Sequence, residues 1–516
     1  MSPEYRDSPA PPKRRRATAP PARRTPEPLD LPEAEPGRHP RGRPTAILPA
    51  ILDPLARDAA PAVMTRIALD WILDDEPALD RLFDEVADGQ YTREWALAHF
   101  VGVMTDVACG FRPSPRAAFR RRRLEEVASI SGFYRKLNRM EPGIPAAVVR
   151  PTAPRARALI EAQGAPMPEP IPGYACRILD GNALAGTEHR IVPLRDLGAA
   201  GLPGKILTLY EPASGLILEA IPEEDGHAQE RALLDRVAVA AGQLLIMDRN
   251  FCVRTFLFRI HRAGASFLVR RHAQNLPYRE LGPPEVVGRS PTGTVLEQAI
   301  EVEDPDVPGA VYRLRRIVVQ LDRPTREGDT EVVLVTNLPD EVPAPDCCAA
   351  YLGRWQVERH YQAMTDLLHC EVPGLGYPRA ALFAFCMSAV AANALAVLKG
   401  GLRAAHGAEL AEEVSAFELT DQAAEVYPGM MIAVPAGHWG WVRVSSAVAV
   451  AGALVELAAG MEVHRMLRAR RGPKKPRTSP KRSGAVDRHV STKRLLDRAK
   501  GADPPGRAGS PDAVMT

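Results

Sequence analysis

Residues 244–251 are Leu-Leu-Ile-Met-Asp-Arg-Asn-Phe, in which an uninterrupted apolar run at 244–247 is followed by the charged side chain of Asp248. Such a run, bounded by Gly242, is typical of a strand that is buried on both faces of a sheet. A carboxylate at its end is costly unless it is paired or bound to a metal ion. A simpler interpretation stays open, because acids just past strands also serve as turn residues or helix caps.

A second acid, Asp180, ends an apolar run in the same way, after Ile178 and Leu179. Outward from these two runs, the pattern predicts strand, strand, strand, helix, strand, helix, strand. The predicted strands cover 174–180, 205–210, 216–221, 244–247 and 266–270, and the helices cover 227–241 and 252–262. The acids therefore end the first and fourth strands, and the predicted class is α/β.

The region after this pattern changes character twice. Residues 275–345 form a β-rich insertion with predicted strands at 295–302, 311–321 and 331–337. A helix then runs from Asp346 to about His369, and apolar helices are predicted at 379–400 and 445–467.

A third acid, Glu358, shares a predicted helix with Tyr351 and Arg354. The three residues are spaced i, i+3 and i+7, so they lie within about 60° of one another around the helix. One face then presents a phenol, a guanidinium that can clamp a phosphate, and a carboxylate. The alternative is an ordinary i, i+4 Arg–Glu surface pair, which this spacing often produces.

Three carboxylates that converge are suited to phosphodiester chemistry. Two hard divalent cations about 4 Å apart can activate the attacking oxygen and stabilise the leaving oxygen, and such ions prefer carboxylate ligands. We expect this use only if the strands that carry Asp180 and Asp248 are neighbours.

The N-terminal third is arginine-rich. Residues 1–45 are a Pro-rich and basic arm that cannot bury a core. Residues 46–165 are predicted to be helical, and residues 119–139 are a candidate helix-turn-helix with its turn at Ser131-Gly132. This motif would place Arg135 and Lys136 on DNA, and a solvated basic face is the equal alternative.

Charge is distributed unevenly along the chain. Residues 465–500 contain 14 Lys or Arg against Asp487 and Asp497. Subtracting that excess of 12 from the net charge of +3 leaves −9 on the rest. Nucleic-acid contacts by the body therefore require local basic patches.

Several protein classes are disfavoured. The seven cysteines include no C-x-x-C pair, which argues against a zinc site or a disulfide scaffold and indicates a reducing cytoplasm. The charged N-terminus does not resemble a secretory signal. Residues 381–398 barely reach the length of a membrane span and include Ser388 and Asn393, so we predict a buried helix and no membrane partner.

These motifs together resemble the bacterial DDE transposases of the insertion-sequence-four type over about residues 170–400. Asp180-Gly-Asn with Gly-Thr-Glu-His-Arg at 186–190 resembles the first acidic block of that family. Met-Asp-Arg-Asn-Phe at 247–251 resembles the second block, and Tyr351-x2-Arg354-x3-Glu358 resembles the third.

The resemblance implies a ribonuclease H-like mixed sheet core with a β insertion before the last acid. Asp180, Asp248 and Glu358 would be catalytic and would bind two Mg²⁺ ions, with Mn²⁺ as the alternative ion. Tyr351 and Arg354 would contact DNA, and so would Arg190 and Arg249 in the first two blocks. The partners would be double-stranded transposon ends and target DNA, bound by a homodimer in the cytoplasm at the nucleoid.

The domains that follow are listed in chain order: the arm at 1–45, a helical DNA-binding region at 46–165, a catalytic core at 166–274 and 346–400, the insertion at 275–345, a helical region at 401–470 and a basic tail at 471–516.

The chain departs from the family pattern at two places. The family signature usually ends with a Lys seven residues after the Glu, where this chain has Thr365. Some relatives stack a flipped base on a Trp of the insertion; this insertion has none, and Tyr312 or Tyr278 is the candidate substitute. A non-catalytic DNA-binding descendant and a stand-alone nuclease remain alternatives to an active transposase.

Overall fold

The apolar run at 244–247 forms a central strand of a mixed sheet in the computed structural model of the protein. The structure describes residues 48–73, 75–90, 94–184, 191–195, 199–325, 328–469 and 489–500. The N-terminal arm, Arg190 and most of the basic tail lie outside these residues. The described part is mixed α/β, as the sequence predicts.

The strands in the described residues are β1 (Ala175–Ala183), β2 (Ala200–Leu202), β3 (Lys205–Glu211), β4 (Leu216–Glu223), β5 (Gln243–Met247), β6 (Ser266–Arg270), β7 (Arg279–Glu280), β8 (Glu285–Ser290), β9 (Gly293–Glu303), β10 (Val311–Leu321), β11 (Glu331–Thr336) and β12 (His489–Ser491).

The main sheet has the strand order β4-β3-β1-β5-β6-β11-β10-β9-β7, with β8 also paired to β9. β1 and β6 both pair with β5 in parallel. β3 pairs with β1 and β11 pairs with β6, both in antiparallel, and β4 pairs in antiparallel with β3. The strands of the β-rich insertion therefore continue the same sheet as the strands that carry the two acids. A separate parallel pair joins β2 to β12.

The helices in the described residues are α1 (Asp53–Asp58), α2 (Ala60–Ile72), α3 (Glu76–Val86), α4 (Leu97–Ala108), α5 (Pro115–Arg121), α6 (Ile130–Leu137), α7 (Gly143–Ala162), α8 (Arg254–Arg262), α9 (Ala344–Gly353), α10 (Trp355–Leu367), α11 (Pro378–His406), α12 (Ala408–Glu413), α13 (Ala416–Ala433), α14 (Trp441–Val444), α15 (Ala447–Ala459) and α16 (Thr492–Ala499).

Alternation along β5 separates two hydrophobic cores. Leu244 and Ile246 face the larger core, which includes α11 and the N-terminal helices. Leu245 and Met247 face a smaller core that α8 covers. A strand buried on both faces is what the uninterrupted apolar run predicts.

The longest helix, α11, is apolar and long enough to span a membrane by length and composition, but 94% of its 18-residue apolar window is buried inside the protein. Asn393 lies in its buried face, donates to the backbone carbonyl of Ile217 and accepts from the backbone amide of the same residue. This confirms the prediction of a buried core helix.

The predicted helix at 227–241 is wrong. The chain forms only a 3-10 helix at Glu230–Arg236 there, and Val237 after it has extended backbone. Arg259 of α8 explains the difference, because its guanidinium donates to the carbonyls of Leu234, Asp235 and Val237. Tertiary hydrogen bonds thus replace the i→i+4 bonds of an α-helix.

The predicted turn at Ser131-Gly132 is also wrong, because both residues lie in the first turn of α6. Ser129 caps this helix, and its side chain accepts a hydrogen bond from the amide of Gly132. The connection between α5 and α6 lies earlier, at residues 122–129, where Arg123 has a positive φ of 53°.

Two helix boundaries differ from the prediction. The helix expected from Asp346 to His369 is divided into α9 and α10, which meet at Arg354. The apolar helix expected at 445–467 ends at Ala459.

Candidate active site

Asp180 and Asp248 occupy equivalent positions on two adjacent strands. The parallel register of β1 and β5 pairs Ile178 with Ile246 and Leu179 with Met247, so the next residue in each segment is one of the two acids. Asp248 directly follows β5, but Asp180 does not end its strand as predicted, because β1 continues to Ala183 through its antiparallel pairing with β3. Because side chains alternate along strands, both carboxylates belong to the face of the two isoleucines. Topology thus brings together the two acids that the sequence predicted separately.

Arg354 links the first acid to the third. Its guanidinium donates to a carboxylate oxygen of Asp180 at 2.8 Å and to one of Glu358 at 3.2 Å. The Arg354 side chain is only 10% exposed, whereas Glu358 is 56% exposed. The Arg354–Glu358 contact is the ordinary i, i+4 pair that the alternative interpretation predicts. The Arg354–Asp180 contact, in contrast, joins residues that are far apart in sequence.

The junction between α9 and α10 positions this arginine. The amide of Arg354 donates to the carbonyl of Tyr351, and its own carbonyl accepts from Val357. The guanidinium also lies 6.0 Å from the centre of the Tyr351 ring. Tyr351, Arg354 and Glu358 are therefore neighbours even though the predicted single helix is interrupted between them.

Tyr361 anchors α10 to the strand that carries Asp180. Its hydroxyl donates to the backbone carbonyl of Asp180 at 3.0 Å and also contacts the hydroxyl of Thr208 on β3. Burial raises the pKa of Tyr361, so it remains a neutral phenol. This contact fixes the distance between the helix of Glu358 and the end of β1.

Burial raises the pKa of the Asp180 carboxyl to about 7. The nearby Arg354 guanidinium lowers this pKa, while the negative charges of Asp248 and Glu230 raise it. Desolvation and like charge together therefore outweigh the ion pair. A cation near these carboxylates would offset the repulsion between their negative charges.

Glu230 is a fourth carboxylate at the site, and the sequence reasoning missed it. A Cβ atom placed on Gly181 would lie 2.5 Å from Oε1 of Glu230, so this side chain lies directly over the residue that follows Asp180. Burial raises the pKa of Glu230, and the charge of Asp248 raises it further. The signal that could have found it was Gly181, which leaves room for this approach.

A cleft of about 440 Å³ opens beside these groups. Its lining includes Asp180, Asn182, Glu358, Gln362 and Thr365. Thr365 is exposed, and its hydroxyl donates to the carbonyl of Tyr361 at 3.1 Å. Thr365 therefore opens into the same cleft as Asp180 and Glu358.

The carboxylates match the donor type that Mg²⁺ prefers. Among the described residues, however, no three His, Cys, Asp or Glu side chains are arranged closely enough to hold a metal ion together. Asp248 accepts a hydrogen bond from the amide of Asn250 and so caps a 3-10 turn, as the simpler interpretation of this acid predicts. Arg354 lies between Asp180 and Glu358.

The predicted DNA-binding residues are distributed over several places. Arg249 is exposed in the turn after Asp248. Arg135 is exposed on α6, but the Lys136 ammonium lies 5.1 Å from the centre of the Phe83 ring, and burial lowers the pKa of Lys136. Arg190 lies outside the described residues.

The two tyrosines of the insertion are covered by other side chains. The Tyr312 ring packs against Phe258 and His261 at centroid distances of 5.1 and 4.7 Å. The guanidinium of Arg271 lies 4.6 Å from the centre of the Tyr278 ring.

No protein-family model matches the chain, and no curated protein is significantly similar to it.

Proposed function

We propose that this protein is a DNA transposase of the DDE type, which cuts and joins the ends of an insertion sequence. The observation that carries the proposal is that Asp180 and Asp248 each follow the last register pair of two adjacent parallel strands, with Arg354 joining Asp180 to Glu358. The enzyme would act as a homodimer on double-stranded DNA at the nucleoid.

The sheet supports a ribonuclease H-like core. β1, β3 and β4 form an antiparallel unit, and β5 and β6 extend it on the other side of β1 in parallel. The insertion strands follow β6 and precede the helix that carries Glu358, which is where the resemblance expects an insertion. The absent helix before β5 is a departure from the expected element order.

Each residue has a role in the proposed reaction. Asp180, Asp248 and Glu358 would hold two Mg²⁺ ions, for which Arg354 must release Asp180 and the exposed Glu358 must reorient. Such ions would supply activation of the attacking oxygen and stabilisation of the leaving oxygen. Arg354, once released, carries the charge and the planar geometry to clamp a phosphate of the DNA end.

The test uses the purified full chain and DNA that contains the genomic flanks of its own gene. The chain is incubated with this DNA and a circular target plasmid, with and without Mg²⁺. We expect Mg²⁺-dependent cuts at defined ends and products in which those ends are joined to the plasmid. An Asp180→Ala variant is the matched control for contaminating nucleases.

Other outcomes would select a different function. Cuts without joined products would indicate a stand-alone nuclease. Sequence-specific binding without cuts would indicate a non-catalytic DNA-binding protein, in which Arg354 permanently occupies the place between the acids. If the protein neither cuts nor binds this DNA, the proposal is refuted.

A further inference from the structure

Helix α5 and the turn after it carry a dense run of arginines. Between Pro115 and Leu124, five of the eight residues are Arg. Ala118 and Phe119 form the buried side of this segment, and the Phe119 ring packs against Trp95 and Phe133 at centroid distances of 5.9 and 5.5 Å. The segment is thus fixed to the core while its polar residues face solvent.

One of the five arginines is structural. Arg122 donates to both carboxylate oxygens of Asp106 on α4, at 2.7 and 2.9 Å. This bidentate pair holds the end of α5 against α4. The side chain of Arg122 is therefore already used within the fold.

The other four form an exposed set that we name the arginine surface: Arg116, Arg120, Arg121 and Arg123. None of their side chains makes a hydrogen bond or an ion pair to another residue that the structure describes. Arg123 also has a φ of 53°, a backbone conformation that favours glycine. An arginine held at such a position points to a use outside the fold.

The dimensions of the arginine surface suit a phosphate backbone. Arg116 and Arg121 are five residue steps apart, about 7.5 Å at the helical rise, and Arg123 continues the surface past the end of α5. Successive phosphates of one DNA strand are about 3.4 Å apart along the duplex axis. The surface therefore matches about three phosphates. Glu125 and Glu126 follow it and limit it on that side.

We propose that the arginine surface binds the phosphate backbone of duplex DNA, whatever its sequence. The inference rests on the proposed function and replaces α6 with α5 as the main basic element of the N-terminal region. The body of the chain is acidic on average, so a local cluster must supply counterion release if the body holds DNA.

The experiment measures the affinity of the full chain for a short random-sequence DNA duplex at several salt concentrations. All four residues of the arginine surface are changed to Gln. We expect the slope of log affinity against log salt to fall by about three units, since each phosphate contact contributes about 0.9. A melting curve checks that the variant is folded.

The matched control removes the same charge from four arginines that are exposed but already paired with acids. These are Arg279, Arg289, Arg313 and Arg465, whose partners are Glu301, Asp322, Asp340 and Glu462. A slope that falls equally in both variants, or in neither, would overturn the inference. So would a loss that appears with duplex RNA alone.

The result does not depend on cleavage. DNA binding through the arginine surface without any cutting would contradict the proposed transposase and leave this inference standing. DNA cutting by a variant whose salt slope is unchanged would support the transposase and contradict the inference about the arginine surface.

Discussion

Asp180 and Asp248 lie side by side, each one residue beyond the register pair of Leu179 and Met247. The two residues are far apart in sequence, because strands that include β3 and β4 lie between them in the chain. The parallel pairing of their strands is therefore what makes a two-carboxylate site. Glu358 reaches Asp180 through Arg354 from α10, which packs in the larger core, and Glu230 approaches Gly181 from a 3-10 helix that packs in the smaller core.

The first prediction concerns the three acids. Asp180→Ala, Asp248→Ala and Glu358→Ala should each abolish DNA cleavage while binding to the DNA ends remains. The reason is that one missing ligand destroys a two-metal site, whereas binding depends on basic and aromatic contacts. Cleavage and gel-shift assays on the same preparations test this, and cleavage above background in one variant would remove that residue from the site.

The second prediction concerns pH. The pKa of Asp180 is raised to about 7 in the folded protein, mainly by burial, against about 3.9 when unfolded. A raised carboxyl pKa means that ionisation costs stability, so this cost is absent below about pH 4, grows with pH and levels off above 7. The free energy of unfolding of Asp180→Asn, relative to that of the wild-type protein, should therefore rise by roughly 2–3 kcal/mol from pH 5 to pH 8.

Urea unfolding at the two pH values measures this gain. Asp421→Asn, at an exposed position on α13, is the control that should show no such trend. An equal stability difference at both pH values would show that Asp180 ionises normally.

The third prediction concerns the metal. Mg²⁺ at pH 8 should raise the melting temperature of the wild-type protein, because an ion that binds only the folded state stabilises it, by about 2.7 kcal/mol at a hundred times its dissociation constant. Asp180→Asn should lose most of this effect. If wild type and variant respond alike, the carboxylates do not form the metal site.

The fourth prediction concerns the basic tail. Residues 489–500 are folded, since β12 pairs with β2 and Arg494 bonds to Asp225 at 2.8 Å. A truncation of the whole tail would therefore also remove packed structure. Instead, the basic residues to be changed to Gln are Lys474, Lys475, Arg477, Lys481 and Arg482, which lie outside the described residues.

This change should flatten the salt dependence of non-specific DNA binding by several units, because each neutralised phosphate contact adds about 0.9 to the slope. A variant in which the three lysines become Arg keeps the charge and serves as the control. An unchanged slope in the Gln variant would assign the tail another role.

The local sequence predicts the strands well and the helices less well. An apolar run such as 244–247 is stable in a sheet core only as a strand, and it forms one that begins a single residue earlier, at Gln243. The strand predicted at 174–180 also forms, but it continues to Ala183. Residues 227–241 have helical composition, but Arg259 binds their carbonyls from α8. That contact depends on tertiary structure, which no local pattern contains.

The candidate site was predictable in part for the same reason. Asp180 and Asp248 stand out because a charge that ends a buried strand is locally costly. Glu230 does not follow an apolar run, and although Gly181 leaves room for a side chain, which side chain fills that room depends on the fold. The Arg354–Asp180 ion pair likewise joins residues that are far apart in sequence.

The last prediction concerns Thr365, which is exposed in the cleft of the acids and lies seven residues after Glu358 on α10, about 20° away around the helix. A Lys there would place a point charge near a phosphate that Thr can meet only with a short neutral hydroxyl. Thr365→Lys should therefore tighten binding to the DNA ends by up to about tenfold and steepen the salt slope by about one unit. Gln356→Lys adds the same charge on the opposite side of α10 and should do neither. If the two variants bind alike, position 365 does not face the DNA backbone, and Arg354 or Arg359 supplies that contact instead.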